Sequence, residues 1–172
     1  HPLVEAAELY RAGRLDSAAA ICRTLLAQNA ADRDTCHLLG VILFRQGRNV
    51  EARALLAQAV AAPGATAEMH NNYGAVLDMM GEKEPAEAAF ARALAIDPNF
   101  VQAINNLGVL HRSVKRTGAA ISAFRRAAEL QPQLALAQTN LRSAYRDVIP
   151  PWHFAMMDDQ RRNDAYEQAI AK

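Results

Sequence analysis

Asparagine side chains recur at a fixed interval along the second half of the chain: Asn72, Asn106 and Asn140 are each separated by 34 residues. Each follows a second polar residue, namely Asn71, Asn105 and Thr139. A carboxamide donates through its NH2 group and accepts through its carbonyl oxygen. A row of them can therefore hold a peptide backbone whatever side chains that peptide carries. Asparagine is a mediocre helix former, so three in one column of helices need a reason beyond propensity. The competing reading is that these amides face solvent or bond to neighbouring helices. Arg112 and Arg146 are candidate contacts for the side chains of a bound segment. The candidate peptide-binding set is thus Asn71, Asn72, Asn105, Asn106, Asn140, Arg112 and Arg146. No catalytic set accompanies it. GxSxG, Walker and GxGxxG patterns are absent, as are CxxC, HExxH and any paired metal-ligand spacing.

The same interval of 34 governs the apolar residues that must position these amides. In the stretch from Val101 to Leu134, Ile104, Leu107, Gly108 and His111 fall on one face of a first helix. Ala120, Phe124, Ala127 and Leu130 fall on one face of a second. Gly108 and Ala120 place almost no side chain where the two helices would cross, which leaves room for Phe124. Pro132 then ends the second helix, because proline disfavours helical geometry in the preceding residue and cannot donate a hydrogen bond. One step back gives Tyr73, Gly74, Leu77, Ala86, Phe90, Ala93 and Pro98, and a second gives Leu39, Gly40, Leu43, Ala52, Leu56 and Ala59. A third reaches Ala6, Leu9, Gly13, Ala18, Cys22 and Leu25, but Glu5 replaces the large apolar residue and no proline follows. The first copy is expected to be partial or worn.

A fixed period of this length, carrying Leu-Gly, Ala, Phe, Ala and Pro in order, resembles the tetratricopeptide repeat. The resemblance implies an all-α fold, a right-handed α-solenoid of helix-turn-helix repeats. Its expected divisions are a partial repeat at about 1–32, full repeats at 33–66, 67–100 and 101–134, a capping helix at 135–148, and a linker with a short extension helix at 149–172. Gly13, Gly47 and Gly81 supply the turns between paired helices, whereas the last repeat carries Lys115 there and has its glycine at Gly118. A different turn is expected in that repeat. In the capping helix Arg142 takes the place of the crossing glycine, and Gln138, Thr139, Arg142 and Arg146 suit a wetter outer side. Cys22 and Cys36 lie at core positions and are expected to be buried reduced thiols.

Function follows from the repeat and its amides. The column also resembles the asparagine ladder in the groove of the tetratricopeptide part of O-linked N-acetylglucosamine transferases. That implies an extended peptide along the concave face and a protein or peptide partner. The second repeat departs from the ladder with His37-Leu38. The lysine and asparagine clamp that reads C-terminal carboxylates in chaperone adaptors is not matched, because Asp34, Glu68 and Gln102 fill one groove-facing column and Val41, Ala75 and Val109 another. The net charge of +1 gives no argument for nucleic acid or a membrane, and the basic half lacks the interleaved aromatics of a nucleic-acid binder. Charge is nonetheless unevenly spread. Residues 61–100 carry two basic groups against six acidic ones, and residues 101–148 carry seven against two. Such a step could set the direction in which a charged segment docks. No apolar run approaches a membrane span and no signal-peptide pattern opens the chain, so the expected location is cytoplasmic.

After Ile149-Pro150-Pro151 the repeat register ends. From Trp152 to Tyr166 the residues His153, Met156, Asp159, Arg162 and Tyr166 are similar in type and spacing to the stretch that precedes the methyl-donor domain of protein arginine methyltransferases carrying such repeats. The resemblance implies that Arg162 meets the carboxylate of S-adenosylmethionine while His153 and Met156 line the donor pocket. The glycine-rich donor loop and the two catalytic glutamates of that family do not occur up to Lys172. This chain is therefore expected to be no enzyme and to need no cofactor by itself. The alternative function is the substrate-recruiting N-terminal part of a longer methyltransferase. Trp152, Phe154, Met156 and Met157 form an apolar face that is expected to fold back or to pair with another copy, so self-association through the extension is a further expectation.

Overall fold

The computed structural model describes residues 1–148. Among them are nine α-helices and no strand. They pair as α1 (Pro2–Arg11) with α2 (Leu15–Gln28), α3 (Arg33–Arg45) with α4 (Asn49–Ala61), α5 (Ala67–Met79) with α6 (Lys83–Ile96), and α7 (Val101–Ser113) with α8 (Thr117–Leu130). The helix α9 (Ala135–Arg146) follows. Local chemistry explains the starts and stops. Asp32 caps α3, its carboxylate accepting from the Thr35 N–H at 2.9 Å and also from the Thr35 hydroxyl. Thr66 caps α5 through the Met69 N–H at 3.3 Å. Pro98 and Pro132 stand two residues beyond the ends of α6 and α8, as expected from the sequence.

The chain divides into two compact units, His1–Ala103 and Ile104–Lys172. In the first, Ala6, Ala18, Cys22, Leu39, Ile42, Leu43, Ala52 and Leu56 share one buried cluster. The opening repeat has the shortest first helix of the four. It runs for 10 residues against 13 for α3, α5 and α7, and it packs on α2. Ala6 and Leu9 supply the packing and leave Glu5 exposed. Ala67, Ala93 and Ala103 form a further cluster with Leu94 and Phe100. In the second unit, Ala120, Ile121 and Phe124 of α8 pack on Leu141, Ala144 and Tyr145 of α9. Leu130, expected on the buried face of α8, is 38% exposed.

Both units use the same crossing device. A Cβ added to Gly74 would lie 2.7 Å from the Phe90 ring, and one added to Gly108 would lie 2.6 Å from the Phe124 ring. Both rings are almost wholly buried. Glycine is required there because the ring occupies the space a side chain would need. Burial of each ring contributes about 2–3 kcal/mol.

The turn after α7 departs from the sequence expectation. Gly13, Gly47 and Gly81 adopt φ of 76°, 77° and 84°, and Lys115 adopts 63°. Its hydrogen bonds also repeat those of the glycine turns. The Lys115 N–H donates to Arg112 O at 3.1 Å and the Arg116 N–H to His111 O at 2.9 Å, as Gly13 does to Tyr10 and Arg14 to Leu9. These two bonds satisfy the orphan carbonyls of the helix end in a Schellman motif. They hold the backbone in the left-handed region against a side-chain penalty of about 1–2 kcal/mol. Gly118 takes no part in the turn and lies in the first turn of α8.

Candidate functional site

Residues that open on the first helix of each repeat carry the candidate amides. Within each unit, residues 35 positions apart meet from successive first helices, one position more than the period. In the first unit, Asn72 Nδ2 lies 2.9 Å from His37 Nε2. In the second, Asn140 Nδ2 donates to Asn105 Oδ1 at 2.9 Å. Asn71 Nδ2 also reaches Asn72 Oδ1 at 3.4 Å. The offset of 35 thus joins two columns, one containing His37 and Asn105 and the other Asn72 and Asn140.

This geometry separates the candidate amides into two kinds. Asn71 and Asn105 are only 6% exposed, whereas Asn72, Asn106 and Asn140 are more open. The latter three are half-buried. An amide offers two N–H groups and two carbonyl lone pairs, so Asn72 and Asn140 keep hydrogen-bonding capacity beyond their bonds to the stack. The internal bonds also fix the direction in which that capacity points. His37, which breaks the asparagine pattern in sequence, continues the pairing in structure. Burial holds its pKa below the usual histidine range, opposed by the nearby carboxylates of Glu68 and Asp34. The neutral ring accepts from Asn72 at Nε2, which assigns the ring proton to Nδ1. The signal that identifies His37 in sequence is the offset of 35.

The two candidate arginines have different surroundings. Arg112 Nε and Nη2 donate to Asp147 Oδ2 and Oδ1 at 2.5 and 3.2 Å. Hydrogen bonding to that guanidinium holds the Asp147 carboxyl below its ordinary pKa. Arg146 is exposed at the end of α9. Val109, Arg112, Ser113, Lys115, Thr117 and Asp147 line an open cleft of about 550 Å³. Asp34, Glu68 and Gln102 are exposed, and Val109 is 41% exposed.

Cys22 and Cys36 are buried free thiols, and burial pushes Cys22 up to about 11. Among the described residues no cluster of His, Cys, Asp or Glu could hold a metal ion, and no helix is long and apolar enough to cross a membrane. The expected donor-pocket residues His153, Met156 and Arg162, and the apolar face around Trp152, lie outside the described residues.

No curated protein matches the chain in sequence. A solved structure of MamA is 23% identical with a TM-score of 0.74, covering 83% of this chain and 83% of that one. YrrB, described as a TPR protein with an unusual peptide-binding site, is 20% identical with a TM-score of 0.70, covering 84% of this chain and 74% of its own. The first TPR of Spaghetti (RPAP3), bound to the HSP90 peptide SRMEEVD, is 19% identical with a TM-score of 0.64 and covers 67% of this chain and 92% of its own. Family models for the tetratricopeptide repeat match residues 9–71 and 80–135, and no catalytic family is indicated. With these matches spanning most of the chain and the period, Schellman turns and glycine crossings beside them, the chain belongs to the tetratricopeptide-repeat family.

Proposed function

We propose that the chain is a protein–protein interaction module that holds an extended segment of a partner against the first helices of its repeats. The observation that carries this reading is the set of half-buried amides at Asn72, Asn106 and Asn140, at constant spacing, two of them oriented by bonds within the stack. An extended backbone presents alternating N–H and C=O groups, and a carboxamide can answer either. Oriented amides lose little rotamer entropy on binding, which lowers the cost of ordering the interface. Peptide-bound relatives of the same fold support the reading, since both YrrB and the RPAP3 repeat are described with a peptide site or a bound peptide.

A phage-displayed library of random peptides, selected on the full chain, tests it. Selected peptides are then titrated by calorimetry into the chain and into an Asn72→Ala, Asn106→Ala, Asn140→Ala variant whose fold is checked by circular dichroism. Loss of most of the binding in a folded variant is the expected result. Undiminished binding would overturn the role of the amides.

A further inference from the structure

The cleft beside the last glycine-free turn combines three features, all drawn from residues 109–147. One is Lys115. Three repeats place glycine at this turn, whereas here a lysine is held at a positive φ of 63°, with its side chain at the cleft wall. Backbone strain of this kind concentrates where a side chain has work to do. Another is Arg112, which presents two N–H groups to the two oxygens of Asp147, the fork geometry a guanidinium makes with any carboxylate. The last is charge. Of the two acidic residues among 101–148, one is Asp147 itself, and six basic groups besides Arg112 accompany the pair in sequence. Arg112 is therefore held by an exposed carboxylate at the rim of an open cleft in a basic segment.

We propose that this cleft docks acidic side chains of a partner protein, with Lys115 meeting the incoming carboxylate and Arg112 exchanging Asp147 for it. The proposal rests on the peptide-binding reading above and supplies the chemistry of the bound segment. None of the described residues lining the cleft is aromatic, so bases of a single-stranded nucleic acid have nothing to stack on. Thr117, the first residue of α8, also lines the cleft, and that helix has no side-chain cap, which adds the positive end of its dipole.

Calorimetric titration of the full chain with an acetylated, amidated peptide of alternating Glu and Gly, and with its Lys and Gly counterpart, tests the proposal. Lys115→Gly removes the charge while giving the turn the residue its backbone prefers, so weaker binding does not report unfolding. That variant is expected to bind the Glu peptide about fivefold more weakly. Asp147→Asn releases Arg112 and is expected to bind about threefold more tightly, and raised salt should weaken both. Arg142→Gln removes an equal charge from outside the cleft and should bind as the parent does. An unchanged affinity in Lys115→Gly, an equal loss in Arg142→Gln, or preference for the Lys peptide or for a single-stranded oligonucleotide would overturn the proposal. The asparagine variant separates the two readings: loss there with Lys115→Gly unaffected overturns the acidic cleft and leaves the amide groove standing.

Discussion

Gly108→Ala is the substitution that most directly tests how the helix pairs close. The new Cβ would sit 2.6 Å from Phe124 Cε1 and 2.8 Å from Cδ1, about 1 Å inside ordinary carbon contact. Phe124 cannot swing out of the way, because it is 0% exposed and packed among Ala120, Ile121, Ala144 and Tyr145. Overpacking of this sort costs about 1–3 kcal/mol. Alanine returns up to about 1 kcal/mol through helix propensity, leaving a net loss of about 1–2 kcal/mol. Gly118→Ala is the matched control, since its Cβ meets nothing within 4 Å in the first turn of α8. It should gain up to about 1 kcal/mol. Urea denaturation followed by circular dichroism, with slopes compared among the three proteins, gives both differences. The same substitution should thus change sign over ten positions of sequence. A Gly108→Ala protein as stable as the parent would refute the view that glycine is there to admit the ring. A Gly108→Ala, Phe124→Leu double variant that recovers part of the loss would locate the clash in the ring itself.

Lys115→Gly should stabilise the chain by about 0.5–1 kcal/mol in the same urea assay, because it relieves a left-handed lysine at the expense of a more flexible unfolded chain. For Asn105 and Asn140, a double-mutant cycle to alanine should return a coupling of about 0.5–1.5 kcal/mol; additive losses would mean that their 2.9 Å bond carries no net stability. His37 has a depressed pKa from burial, so the unfolded chain binds its proton more readily than the folded one. Its contribution to stability is present above the unfolded pKa of about 6.5 and is lost as pH falls, and His37→Asn should flatten that slope in melts between about pH 7.5 and about pH 5.5. Cys22, pushed up to about 11 inside the first unit, should resist iodoacetamide in the native chain and react fully in denaturant.

Helix positions were legible because each large or small residue recurs in register with its structural role. Gly74 and Gly108 meet the rings of Phe90 and Phe124 as their spacing implies, and Pro98 and Pro132 follow the helices they were expected to end. The Lys115 turn was misjudged because residue preference was weighed without the two backbone hydrogen bonds that hold the turn together. Preference shifts the energy by about 1–2 kcal/mol, whereas abandoning the turn would orphan the carbonyls at the end of α7. Candidate site residues were only half legible. The 34-residue column picked out Asn72, Asn106 and Asn140, but burial of Asn71 and Asn105 depends on which way adjacent first helices turn toward each other. The His37 and Asn72 contact and the Arg112 and Asp147 pair both span 35 residues, one more than the period, and single-column reading does not join them.

The Schellman turn after α7 carries a side chain at the cleft wall, and that makes it an attachment point. The chain has two cysteines, and both are buried in the first unit. A Lys115→Cys protein would therefore carry a single reactive thiol in the native chain, at an exposed position. A fluorophore coupled there would stand at the mouth of the cleft and report by its emission an acidic segment held by Arg112 alone, at the weaker affinity expected without the Lys115 ammonium, converting a structural irregularity into an optical readout of occupancy.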